Sequence, residues 1–405
     1  MRRGILCSVL ALLVLTPSAL VLAQGGMSVD GEVRLRTEYK GPFDYSSDSS
    51  DDGTFMRTHL NFGWAVSEDV AFSVGLQDSR AWGNDGNGDA DVDVNTATLS
   101  LSNVQKMGYL SFLGSGQWDL HLGRMNVPTY GDGYVLAAND WSNTGPDSYD
   151  GFHLAGGFGD ISVEFIWADS NNANPYDAGA QGAAQGGLWY YLTLGWANDM
   201  VGVDAYLLTR RDNGEDDGDA LTIDDVDSDT MGFRASITPS QVEGLEVVIE
   251  FASQETENDG DSGPDGELTV IRAGYGLDMG PLNHIGIGMS EADEGWNQAG
   301  DWNHGLLGHY DIVNNNNVED FFVTLRGQIS DFAVNLDFHT FTAVDTAAGA
   351  DDDIGSEIDL YTTWDCGESL AFQAGWSMFS PGDALLVDED GDFFYVQMTV
   401  PFGGN

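Results

Sequence analysis

Apolar and polar residues alternate one by one along most of this chain. The alternating stretches are joined by connections that are by turns very short and very long. In 69–80, Val70, Phe72, Val74 and Leu76 fall on one face and Ser73, Gly75, Gln77 and Ser79 on the other. In 332–341, Phe332, Val334, Leu336 and Phe338 oppose Asn335, Asp337 and His339. A period of two is that of a strand, dry on one side and wet on the other. Such stretches recur at 28–39, 53–65, 94–103, 116–124, 150–156, 160–168, 187–196, 201–210, 230–238, 244–252, 266–276, 282–290, 319–328, 355–364, 368–378 and 392–402. No convincing helix separates them; 96–110 and 301–318 fit the pattern least well.

The connections carry as much information as the strands. Short ones include 67–69, 158–160, 198–199, 330–331 and 366–368. Long ones include 41–53, 81–93, 125–149, 169–186, 211–229, 253–265, 291–318, 342–354 and 379–391. A barrel in a bilayer keeps this rule, with tight turns on one rim and long loops on the other. A soluble sandwich also alternates but need not keep it. Aromatics at strand ends, among them Tyr39, Trp64, Trp82, Trp118, Trp189, Trp196, Tyr361 and Trp364, suit a belt at the two membrane interfaces. The reading is therefore all-β: a transmembrane antiparallel β-barrel of about 18 strands (16–18), with short periplasmic turns and long acidic extracellular loops. In hydrocarbon no strand edge can stay unpaired, so the sheet must close. A barrel this wide encloses a water path or a plug.

The first residues have another purpose. Arg2 and Arg3 precede an apolar run from Ile5 to Leu15, and small residues lead to Ala23. This reads as a secretory signal peptide over 1–23, followed by a single barrel domain over 24–405. Cys366 is then the one thiol of the exported part, so no internal disulfide is expected.

Charge narrows the partners. The chain has 66 acidic and 14 basic residues, a net charge of −52, which disfavours nucleic acid. The expected partners are the lipid bilayer, lipopolysaccharide if the host is Gram-negative, and small solutes or oligosaccharides. Most acids lie in loops, as at 85–89, 215–219, 259–263, 351–353 and 388–392. Such oxygen-rich loops can hold Ca²⁺, but a hydrated acidic surface explains them as well. No other cofactor is expected, and no metal site is assigned. By parity Arg34, Arg36, Arg57, Arg124, Arg234, Arg272 and Arg326 face mostly into the lumen, with Asp337 and other acids beside them. Arg36, Arg57, Arg124, Arg234, Arg272, Arg326 and Asp337 are thus the candidate selectivity residues. Neither a nucleophile elbow nor an HExxH pattern is present, so no catalytic residues are assigned and no enzyme is expected.

Two regions resemble a known family. LGRMNVPTYG (122–131), LAANDWSNTG (136–145) and SYDGFHL (148–154), with AGWSMFSPG (374–382) and DFFYVQMTVPF (392–402), resemble the outer-membrane alginate export porins. The matching positions are Gly123, Arg124, Trp141, Asn143, Asp150, Gly151, Pro381, Gly382 and Phe402. The resemblance implies a single-chain barrel that passes anionic polysaccharide or small sugar-like solutes. It also implies that Phe402, the final aromatic, is read by the barrel-assembly machinery. The family's exporters are rich in lumen Arg and Lys, whereas an acidic mouth here opposes entry of a polyuronate. A porin for cations or neutral sugars, a structural or adhesive surface barrel with a plugged lumen, and a secreted soluble all-β carbohydrate-binding protein are the other readings.

Overall fold

The computed structural model describes residues 26–41, 51–82, 92–114, 116–138, 148–169, 187–212, 226–258, 261–300, 304–367, 369–385 and 389–403. The leader, Trp141, Asn143 and the acidic runs at 85–89 and 215–219 lie outside these residues. Among the described residues, 18 strands form one antiparallel wall. The first six are β1 (Met27–Lys40), β2 (Asp51–Ser67), β3 (Val70–Ala81), β4 (Asp93–Leu101), β5 (Gln117–Asn126) and β6 (Ser148–Phe158). Next come β7 (Ile161–Asp169), β8 (Gly187–Ala197), β9 (Val201–Asp212), β10 (Val226–Ile237), β11 (Leu245–Asn258) and β12 (Gly266–Met279). The last six are β13 (Leu282–Ala292), β14 (Val318–Ile329), β15 (Phe332–Thr342), β16 (Asp353–Asp365), β17 (Ala371–Pro381) and β18 (Gly391–Gly403). Each pairs with its chain neighbour, and β18 pairs with β1 from Gly403 opposite Asp30 to Phe393 opposite Lys40. That last pairing closes the barrel and leaves no edge.

Burial is inverted relative to a soluble protein. Phe233, Phe251, Leu207, Ile287, Leu336 and Leu360 are exposed, whereas Arg36, Arg57, Glu250, Asp320, Glu357 and Asp359 are buried. Alternation explains the inversion, because each strand sends its apolar side chains outward and its polar ones into the lumen. The outward surface is thus suited to hydrocarbon. Tyr39, Trp64, Trp82, Trp196 and Trp364 are exposed on it, as a belt requires. Trp118, Trp189 and Tyr361 are corrections to that belt. Trp189 and Tyr361 have lumen parity, with Trp189 buried in the core cluster and Tyr361 against His309. Trp118 is covered by the β4–β5 connection, where its backbone N–H donates to Gln105 at 3.1 Å.

That connection also breaks the loop-length rule. Residues 102–116 lie on the short-turn rim yet carry two 3-10 helices, Val104–Lys106 and Gly108–Leu113. Val104 is fully buried, and Asn103 bonds the carboxylates of Asp69 and Asp119. The excursion is thereby fastened to the barrel end.

Candidate functional site: two inward loops and the chamber they bound

Two long connections turn into the barrel. Residues 127–138 are unusually apolar for a loop, and Val127, Tyr134, Val135, Leu136 and Ala137 are all buried inside. Their tip reverses through Gly131, Asp132 and Gly133, with φ of 61°, 52° and 98°. Glycine suits two of these positions because left-handed backbone carries no Cβ penalty there. At Gly131 a side chain would also meet Glu250, since a Cβ would lie 2.7 Å from its Oε1. The second connection, 293–317, buries Trp296, Ala299, Leu307, Tyr310 and Val313. Sequence reasoning placed it outside as an ordinary loop. Its apolar and aromatic residues were the available signal.

The loops hold each other. Leu136–Ala137 and Ala299–Gly300 form a short parallel bridge, and Ala299 N–H donates to Val135 O at 3.0 Å. Asn315 Nδ2 donates to Tyr134 O at 3.0 Å. Wall side chains fix both. Gln254 of β11 makes two bonds with the backbone of Asn297, at 2.8 and 3.0 Å. Tyr310 N–H donates to Glu357 Oε1 at 2.7 Å, and Tyr310 OH donates to Gly41 O at 3.0 Å. The constriction is a preorganised polar and aromatic network.

The predicted arginines divide into groups. At the loop tip, Asp132 Oδ2 accepts Arg234 Nη2 at 2.6 Å and lies 2.7 Å from Arg272 Nη2. Arg234 Nε is also 3.6 Å from Glu250 Oε2. On the wall of β1 and β2, Arg34 stands directly opposite Arg57, with Arg36 beside them. Arg57 bonds Glu32 at 3.2 Å and Arg36 pairs with Glu38. Further round, Arg326 Nη1 bonds Asp337 Oδ1 at 2.5 Å.

Arg124 is a correction. Its register partners are Ala97 and Asp150, on the face that also carries Leu122 and Phe152. It bonds Ser148 Oγ at 3.0 Å and approaches Asp150 at 3.7 Å, on the outer face and away from the lumen. Parity was lost in reading this strand because Gly123 interrupts its apolar alternation. Of the motif positions among the described residues, Phe402 packs outside Gly31, and Gly382 N–H donates to Ile354 O at 2.9 Å beside Pro381. Gly151 pairs opposite Gly123.

Sequence reasoning missed an aromatic group beneath the tip. Tyr130 stacks on Tyr191 with centroids 4.0 Å apart, and Tyr191 faces Tyr206 at 6.4 Å. Tyr206 lies across Gly232, where any side chain would collide with its ring. These tyrosines line a cavity of about 320 Å³ with Glu164, Asp204, Arg234 and Glu250. Burial and the neighbouring Glu164 raise the Tyr130 phenol above its ordinary range, so it stays protonated and donates.

The second loop carries a pH-sensitive group. His309 sits with its ring centroid 4.6 Å from those of both His304 and Tyr361. Burial first, then His304, push its pKa down to about 3, against the opposing pull of Asp359; His339 and Arg326 add to the depression. Sign follows from linkage. Folded His309 is neutral while the unfolded form titrates near 6.5, so docking of this loop is unaffected above that pH and weakens as pH falls toward 3. Hydrogen exchange at Leu306–Tyr310, corrected for intrinsic rates, is expected to quicken between pH 7 and pH 4. Unchanged protection at pH 4 would contradict this. His309→Phe should flatten the dependence.

Among the described residues no group of three or more His, Cys, Asp or Glu is arranged to hold a metal. No family model matches the chain and no curated protein matches it, so the alginate export resemblance rests on its motifs alone. Solved structures do match. OpdQ of Pseudomonas aeruginosa aligns over 93% of this chain and 98% of its own, with TM-score 0.64 and 12% identity. The outer membrane protein OprD of the same organism aligns over 93% and 94%, with TM-score 0.62 and 11% identity. OccAB1 of Acinetobacter baumannii aligns over 93% and 96%, with TM-score 0.63 and 13% identity. At such identities the likeness is one of fold, and the fold is the closed 18-strand outer-membrane barrel.

Proposed function

We propose that this chain is an outer-membrane channel for passive diffusion of small hydrophilic solutes, narrowed by its two inward loops. The observation that carries the reading is the polar, charge-lined interior set inside an apolar exterior. A plugged adhesive barrel has no need of charged side chains ranked along its lumen.

Selectivity follows from how the arginines are spent. Arg57, Arg234, Arg272 and Arg326 each have a carboxylate partner, and the loops add a large acidic excess. The resulting field favours cations and neutral solutes over polyanions. Export of an anionic polysaccharide, which the resemblance implies, would need basic groups left over for the substrate.

Two measurements test the reading. The purified protein is expected to migrate differently on a detergent gel before and after boiling, and to fractionate with outer membranes. Recovery as a soluble monomer would refute the barrel in lipid. In planar bilayers under a KCl gradient, single channels are expected to show a cation-selective reversal potential that weakens at high salt. Clear anion selectivity at low salt would instead favour the polyuronate route.

A further inference from the structure

We propose that the chamber bounded by Tyr130, Tyr191, Tyr206, Ser162, Glu164 and Asp204 is a binding subsite for a neutral sugar ring. The proposal deepens the channel reading and rests on it for the route by which the sugar arrives.

The chamber is built on the wall of β6 to β11 and roofed by the loop tip. Its volume of about 320 Å³ falls in the range of small-molecule sites, roughly 300–1,000 Å³. Small residues keep it open. Ala155, Gly156 and Gly131 line it. At Gly195 a Cβ would lie 2.6 Å from Asp204 Oδ1 and would collide with Ser162 Oγ.

One side is an aromatic platform. Tyr130 is half-buried, stacks on Tyr191 and lines the cavity. Tyr191 and Tyr206 are buried behind it, so the platform is rigid. Its hydroxyl is held by Glu164, which also lies 2.6 Å from His153 Nε2.

Charge around the chamber is partly compensated: Arg234 and Arg272 stand against Asp132, Glu164, Asp204 and Glu250. Glu250 accepts from Tyr206 OH at 2.8 Å and faces Arg234 at 3.6 Å. Glu164 faces His153, and Asp132 faces Arg234 and Arg272. A carboxylate solute would need an uncompensated arginine, and Arg234 and Arg272 are both paired with Asp132. A sugar hydroxyl needs no such cation, because it both donates and accepts and can give its proton to Asp204. Asp204 supplies the strong acceptor: among the described residues no hydrogen bond ties down its carboxylate, and Arg234 is the cation whose field reaches it. Ser162 supplies a hydroxyl beside it. An apolar ring face with a few convergent polar groups is what orients a pyranose.

Calorimetry of the purified full-length barrel in detergent tests this with maltotriose as the probe. Saturable binding is expected, tighter than that of 1,5-diaminopentane or glucuronate. Asp204→Ala is expected to weaken it by about tenfold or more, the loss of a charge-assisted hydrogen bond. Tyr130→Leu should weaken it comparably, and Tyr130→Phe, which keeps the platform, much less. Heat-modifiable migration certifies that each variant is folded, and Tyr130→Leu carries the test if Asp204→Ala does not assemble. Absence of saturable maltotriose binding, a preference for either charged probe, or affinities unchanged in the folded variants would overturn the subsite. A barrel that binds maltotriose but carries no current would overturn the channel reading and leave the subsite standing. One that conducts without binding does the reverse.

Discussion

Arginine in place of Leu336 is expected to lower recovery of the folded barrel sharply, while arginine in place of Thr324 is tolerated. Leu336 lies near the middle of β15, opposite Leu325 on one side and Leu360 on the other. It is exposed outward among leucines, where lipid tails would surround it. A guanidinium there costs roughly 2–4 kcal/mol near the bilayer midplane. That is a large share of a typical net stability of about 5–15 kcal/mol. Thr324 is on the neighbouring strand but points inward, directly opposite Asp337. An arginine there meets water and a carboxylate. Folding yield into detergent, read as heat-modifiable migration, separates the two substitutions. Equal yields would mean that the outward face does not meet hydrocarbon.

The contrast between those neighbouring positions is also what made the fold legible. A two-residue period forces a choice of face at every position, and one slip would reverse the whole strand. Val334, Leu336 and Phe338 against Asn335, Asp337 and His339 leave no ambiguity. Repeated along the chain, this sets strand number and closure. The lumen was less legible, for physical reasons. Arg124 follows Gly123, which has no side chain to declare a face, so its inward assignment failed while those of Arg234 and Arg272 did not. The inward loops obey no period. Their place is fixed by contacts far apart in sequence, such as Asn315 to Tyr134 and Tyr310 to Gly41. Tyr130, Tyr191 and Tyr206 come from a loop and two strands. Nothing in their spacing announces that they stack, although Gly232, beneath Tyr206, marks where a ring could lie against the wall.

Asp132→Asn is expected to move the channel's selectivity toward anions more than any other single charge neutralisation in the lumen. Asp132 is at the tip of the first inward loop, within 2.6 and 2.7 Å of Arg234 and Arg272. It is the one carboxylate that both arginines share among their described pairs. Asparagine tolerates the left-handed backbone at this position, where φ is 52°, so the tip keeps its path. What changes is charge: two guanidinium groups then face the constriction with Glu250 as their nearby counterweight. One charge about 6 Å from a passing ion in water is worth about 0.7 kcal/mol, roughly a threefold change in permeability ratio, and salt reduces it. Asp150→Asn is the matched control, because Asp150 pairs with Arg124 on the outer face and should leave selectivity unaltered. Adding Arg272→Gln to Asp132→Asn should restore much of the original ratio, and the double-mutant cycle measures how strongly the pair is coupled. If Asp132→Asn and Asp150→Asn shift the reversal potential equally, the ions do not pass the loop tip, and selectivity is set at the acidic rim instead.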